Sequence, residues 1–286
     1  MEKFSNMNGD EQKMLIDFHT HVFPDKIAGR TLEILENNII KIQHREYPPV
    51  SDGTLSGLVE SMEKYDVTAS VVMPIATTVK QSASINKFAA KINNTEINGR
   101  KIYSFGSLHP MQENWEETLE EIAELGLRGI KLHPEYQETF IDSPESIRLL
   151  KKAEELGLKV TIHAGADIGM PPPVHCSPQA LAGLLDKLGG DNIIAAHMGG
   201  WRLWEDVYKY LKGSPIMFDA CYVGGFIDPD LFARLVEEHG SDKILFGTDM
   251  PWQSAGATKE FIDGFGFDNE TLDNIYYKNA LRLLGE

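Results

Sequence analysis

Apolar and β-branched residues gather in eight short runs: Met14–Phe18, Ala69–Met73, Ile102–Leu108, Leu127–Leu132, Leu158–Ile162, Asn192–Ala196, Pro215–Phe218 and Lys243–Phe246. Most are continuous rather than alternating, the pattern of strands buried on both faces of a parallel sheet. Between them lie helical patterns with start and stop signals. Leu55–Tyr65 follows Thr54. Trp115–Leu125 follows Asn114 and stops at Gly126. Glu145–Leu156 follows Ser143-Pro144 and ends at Gly157. Gln179–Leu188 follows Ser177-Pro178, and Asp230–Glu238 follows Asp228-Pro229. Capping residues ahead of a first-turn proline, and glycine after the last turn, are the usual helix boundaries. Strand and helix alternating eight times predict an α/β fold, a single-domain (β/α)8 barrel spanning 1–286, with 1–12 a loosely ordered leader into it.

Two connections exceed what a barrel needs. Phe23 to Asp52 carries its own helical pattern (Ala28–Ile40) and then Tyr47-Pro48-Pro49; Ala164 to Ser177 carries Gly165, Gly169 and Pro171-Pro172-Pro173. Both follow strands, so both are expected over the C-terminal mouth, where long loops act as lids.

The strand ends carry the chemistry. The first run ends in His19 and His21, the third in His109, the fourth in Lys131-Leu132-His133, the fifth in His163, the sixth in His197, the seventh in Asp219 and the eighth in Asp249. Six of the nine histidines thus stand where barrel enzymes place their reactive groups. A catalytic zinc-type site needs three or four ligands and an open position for water. His19, His21, His163 and Asp249 supply such a set. His197 is either a further ligand or a base for the water proton, and Asp249 has the oxygens both to hold metal and to accept a proton. Lys131 has three readings: a carboxylated bridge between two metals, a partner for a substrate carboxylate, or an internal counter-ion. His133, His109 and Trp252 are placed at the mouth as substrate-binding candidates.

Charge and cysteine content narrow the class. The formal net charge is -16, from 43 acidic and 27 basic residues, which argues against nucleic acid and anionic membranes as partners. A small-molecule substrate is expected, and a homodimer is the prior for assembly. Cys176 and Cys221 are expected to be free thiols of a reducing, cytoplasmic setting. No apolar run reaches the ~20 residues of a membrane span.

Five segments carry a resemblance: Asp17-Phe18-His19-Thr20-His21, Gly129-Ile130-Lys131-Leu132-His133-Pro134, Ile162-His163-Ala164-Gly165, Ala196-His197-Met198-Gly199-Gly200 and Leu245-Phe246-Gly247-Thr248-Asp249-Met250-Pro251. Together with the closing Asn279-Ala280-Leu281-Arg282-Leu283-Leu284, they resemble the amidohydrolase superfamily. More narrowly they resemble the amidohydrolase-2 branch, related to aminocarboxymuconate-semialdehyde decarboxylase. The resemblance implies a distorted barrel with one divalent metal, zinc first and manganese second. His19, His21, His163 and Asp249 match the family's ligands, and His197 its histidine near the metal-bound water. Lys131 matches a lysine that is carboxylated in binuclear relatives and not so used in the mononuclear branch. The chain is shorter than that branch's decarboxylases. This favours a hydrolase of a small ester, lactone or amide, working through a metal-activated water, over non-oxidative loss of CO₂ from an unsaturated or aromatic acid.

Overall fold

Each of the eight apolar runs becomes a strand in the computed structural model, which describes residues 14–286; the leader expected over 1–12 lies outside the described residues. In chain order the strands are β1 (Ile16–Thr20), β2 (Ala69–Val72), β3 (Thr95–Ile97), β4 (Arg100–Ser104), β5 (Gly129–Leu132), β6 (Lys159–Ile162), β7 (Ile193–Ala195), β8 (Met217–Asp219) and β9 (Ile244–Leu245). All but β3 run parallel, as β1-β2-β4 and β5-β6-β7-β8-β9. Two seams join these sheets into a ring. Gly106 bridges to Ile130 beside β5, and Thr20 bridges to Met250 beyond β9. At the second seam Phe18 N donates to Phe246 O (2.9 Å) and Asp249 N to His19 O (2.8 Å). Asp17 strengthens it, its carboxylate accepting from the Thr248 hydroxyl (2.7 Å) and amide (3.0 Å).

Most of the expected caps form. Thr54 Oγ1 accepts from Gly57 N ahead of α2 (Leu55–Lys64), after α1 (Asp25–Gln43) has filled the first long connection. The unforeseen α3 (Ser82–Ile92) comes next. Asn114 does not cap α4 (Trp115–Glu124) with its side chain, which instead accepts from Gln112 Nε2. Ser143 caps α5 (Pro144–Glu155) and Ser177 caps α6 (Pro178–Leu188), both with proline in the first turn. After α7 (Trp204–Tyr210), Asp228 caps α8 (Pro229–His239) in the same way. The chain closes with α9 (Ala255–Asp263), α10 (Asn269–Asp273) and α11 (Asn279–Leu284). Among the described residues no helix is long and apolar enough to cross a membrane.

Helices pack on strands through one large buried apolar cluster. A second draws on β1, β2, β4, β7, β8 and β9 and is sealed by Ala280 and Leu284 of α11. The strand β3 departs from the barrel: it pairs antiparallel with β4 across Asn98-Gly99, whose φ values of 52° and 75° suit a two-residue type I′ hairpin turn.

One core histidine makes stability depend on pH. His239 stacks on Phe218 with centroids 4.0 Å apart, donates from Nε2 to Ile216 O (2.9 Å) and accepts at Nδ1 from Gly213 N (3.1 Å). Both ring nitrogens are used and only 2% of the residue is exposed. Burial first, then Lys243, lowers its pKa to about 4. An unfolded chain therefore binds this proton near pH 6.5 and the folded one only near 4. The stability is complete above pH 6.5 and is lost as pH falls toward 4, by about 3 kcal/mol. His239→Gln is expected to flatten that decline: urea midpoints for the variant should change less between pH 7 and 4.5 than those of the parent. An equal decline in both would count against this role.

Candidate active site

The strand-end residues converge at the C-terminal mouth. His19 is fully buried; its Nδ1 lies 2.8 Å from Asp219 Oδ2 and its Nε2 2.9 Å from Lys131 Nζ. His21 Nδ1 lies 2.6 Å from Met73 O, and its Nε2 3.1 Å from Asp249 Oδ1. Asp249 Oδ1 is also 3.6 Å from His19 Nε2. His163 Nδ1 faces His197 Nε2 at 3.0 Å. On their far sides, His163 Nε2 meets Ala166 O at 3.3 Å and His197 Nδ1 meets Cys221 O at 3.1 Å.

These partners fix which nitrogen of each ring carries the proton. A carbonyl or carboxylate oxygen only accepts, so the nitrogen facing it is the N–H. His19 and His21 are therefore Nδ1–H, and both present an Nε2 lone pair toward the Asp249 carboxylate. His163 and His197 likewise turn lone pairs toward each other. Acceptors that face acceptors are satisfied by a shared proton or by a metal ion, and at His19 the Lys131 ammonium already supplies one donor.

The same test sorts the three groups whose ligand-type atoms lie within 4.8 Å of one another. His19, His21 and Asp249 fit a metal ion best: the His21 and Asp249 atoms face one another, and the His19 Nε2 lone pair is available once the Lys131 ammonium that now donates to it gives way. The His19, Asp219 and Cys221 group fails, because the His19 nitrogen in it holds a proton for Asp219. The His133, His163 and Asp167 group fails as well. His133 Nδ1 accepts from Tyr136 N (3.3 Å), so Nε2 is the N–H, 3.4 Å from Asp167 Oδ2. Imidazole and carboxylate ligation of the surviving group suits a borderline divalent ion such as zinc or manganese.

The electrostatics agree. Burial, then the neighbouring Lys131, lowers His19 to about 4. Burial, then the adjacent His133 and His197, holds His163 well below the usual histidine range. Burial alone would raise Asp249, but the adjacent His21, His19 and His197 rings outweigh it and hold it well below the usual carboxylate range. Burial lowers Lys131 against the pull of Asp219 and Asp249.

The backbone is arranged around these groups. His197, Met198, Arg202, Tyr222 and Asp249 all have φ between 53° and 63°, left-handed conformations rare for such side chains. Strain of this kind persists where the surrounding structure over-determines it. For His197 and Asp249 the bracing is visible: His197 N donates to Asp219 Oδ1 (2.9 Å) and Asp249 N to His19 O. Trp204 Nε1 donates to His197 O (2.9 Å) and Trp201 Nε1 to Tyr222 O (3.3 Å), so these tryptophans pack loops.

Other candidates stand further off. His109 accepts from Met111 N at Nδ1 (3.2 Å) and holds its own turn. Trp252 is half-buried beside Asp249, its amide donating to Asp249 O (2.9 Å). Both cysteines are free and buried; Cys221 Sγ lies 3.0 Å from His19 Nδ1. The segment from Ala164 to Ser177 does cover the mouth. Gly165 starts it at φ 85°, where a Cβ would lie 2.2 Å from Trp201 N, and Gln43 Nε2 of α1 ties it down at Ile168 O (2.9 Å). Sequence reasoning missed Asp167 and Tyr136 within this region and gave Asp219 no task.

The amidohydrolase-2 family model, described as amidohydrolase, matches residues 16–285. The chain belongs to the amidohydrolase-2 family. Its barrel is similar to that of a 5-carboxyvanillate decarboxylase from Sphingomonas paucimobilis, at 16% identity over 96% of this chain and 99% of that one, with a TM-score of 0.68. An uncharacterized TIM-barrel protein from Bordetella bronchiseptica gives 0.72 at 17% identity, over 95% and 98%. A probable 2-pyrone-4,6-dicarboxylic acid hydrolase from Acinetobacter baumannii gives 0.63 at 15% identity, over 95% and 99%. At such identities the likeness is one of fold. No curated protein matches the chain.

Proposed function

We propose that this family member is a metal-dependent hydrolase of a small ester, lactone or amide. The observation that carries the reading is the approach of the His21 and His19 Nε2 atoms to one Asp249 carboxylate oxygen, at 3.1 and 3.6 Å. His163 is proposed as the fourth ligand on its strand-end position; its Nδ1 faces His197 Nε2 and stands outside the close group of the other three. A divalent ion so held supplies Lewis acidity, which activates water and polarises a carbonyl oxygen. Asp249 and His197 then take the water proton and return it to the leaving group. Lys131, its ammonium against His19, is placed to hold a substrate carboxylate, with His133 behind it. The lid keeps bulk water from the reacting groups.

Hydrolysis starts by removing a proton, which suits a cluster of acceptors. Loss of CO₂ needs a proton delivered to carbon, and the Lys131 ammonium beside His19 is the feature that favours this second reading. The test is metal analysis of the purified protein, followed by a screen that scores ester, lactone and amide cleavage alongside CO₂ release. Stoichiometric divalent metal with chelator-sensitive cleavage is expected. CO₂ release without water uptake would replace the hydrolase by a carboxy-lyase, and a protein that binds no divalent metal would remove the reading's basis.

A further inference from the structure

One buried carboxylate has no part in the reaction so far: Asp167, on the lid, with 8% of its side chain exposed. Its two oxygens do different work. Oδ1 accepts from Gly169 N at 2.7 Å, closing a turn at the base of the lid. Oδ2 faces the Nε2 atoms of His133 (3.4 Å) and His163 (3.7 Å). These two rings are stacked, 14° from parallel with centroids 4.1 Å apart, so one oxygen stands across both N–H edges. The Tyr136 ring flanks the pair, its centroid 4.2 Å from that of His133.

We propose that Asp167 is a positioning residue that keeps His133 and His163 protonated at Nε2, and so keeps the His163 Nδ1 lone pair turned into the centre. For His163 it acts beside the Ala166 carbonyl, the nearer acceptor at 3.3 Å. Both groups belong to the lid, so the lid itself sets how this histidine presents its ligand atom. A carboxylate behind a ligand histidine fixes tautomer and ring orientation, and its loss typically costs 10–100-fold in metal affinity. The inference rests on the reading of His163 as a ligand.

Asp167→Asn tests it because the amide is isosteric but not symmetric. Gly169 N–H needs the amide oxygen on its own side. The NH₂ group is then left facing two N–H edges, donor against donor. For His163 relief comes when the ring shifts its proton to Nδ1, whereas His133, whose Nδ1 accepts from Tyr136 N, keeps its own at Nε2. The shift at His163 places an N–H toward the His197 Nε2 lone pair, a good hydrogen bond in which no ligand atom is left.

The measurement is ¹⁵N NMR of the histidine rings in the parent, Asp167→Asn and Asp167→Glu, with zinc or manganese affinity by chelator competition on the same samples. The Nε2–H tautomer is expected for both rings in the parent, and a population of Nδ1–H at His163 in Asp167→Asn. Its affinity should fall about 10–100-fold with the circular dichroism unchanged, and Asp167→Glu, which restores the charge, should recover part of both. Unchanged tautomers in Asp167→Asn overturn the proposal, whatever the metal does. His163→Ala binding metal as tightly as the parent would overturn the ligand reading instead, and the tautomer shift would still decide the role of Asp167.

Discussion

His197→Asn is expected to retain its metal and to lose turnover by about 10²–10⁴-fold, the usual scale for a positioned acid or base. The four proposed ligands, His19, His21, His163 and Asp249, would already come close to filling a site that must keep a place for water. A fifth close ligand would crowd the substrate. His197 stands one step back: its Nδ1–H is committed to Cys221 O and its Nε2 lone pair faces His163. From there it can receive a proton. Asparagine is a better probe than alanine, because φ is 58° at this position and asparagine tolerates the left-handed region. Metal content per chain, read beside kcat, decides the matter. Activity lost together with metal would make His197 a ligand.

Asp249→Asn should behave in the opposite way, with metal binding and activity disappearing together. The amide keeps the volume, and it accepts the φ of 63° as readily as aspartate does. What it lacks is the charge. Two neutral imidazoles and an amide oxygen attract a divalent ion far less than the same rings with a carboxylate. Removing one partner of a buried ion pair costs about 3–5 kcal/mol, or roughly 10²–10⁴-fold in affinity. Titration with a competing chelator measures this directly. A variant that binds metal within a few-fold of the parent would take Asp249 out of the ligand set and leave it only a base.

The barrel was legible because its strands are buried on both sides, so each is an unbroken apolar run. The ligand candidates were legible because each ends such a run. Asp167 was not, since it lies five residues into a glycine- and proline-rich loop whose path no periodicity describes. Only the turn to Gly169 brings it beneath the two histidines. His109 and His133 share a strand-end position, yet one settles into its own turn while the other stacks on His163. That difference lies in rotamers and turn shapes, which residue type does not specify. The β3–β4 hairpin is a plainer miss: Asn98-Gly99 is among the strongest short-range hairpin signals, but its flanking strands are short and half-polar. Asn114 shows the reverse error, a capping residue in the right place whose side chain finds Gln112 instead.

The seam between β9 and β1 has a consequence for the order in which the protein comes into being. His21 and Asp249 are 228 positions apart in the chain, yet their side chains meet at 3.1 Å. Synthesis delivers His19 and His21 near the beginning and Asp249 near the end. A nascent chain therefore carries His19 and His21 early, gains His163 past its middle, and lacks the proposed ligand Asp249 until the last strand is made. The C-terminal helix that seals one core cluster arrives later still. With the proposed ligand set, metal capture would wait for the segment that carries Asp249, and a bound ion would then fasten the seam between β9 and β1. Chains released before Leu245 should gain no thermal protection from zinc or manganese, whereas complete chains should.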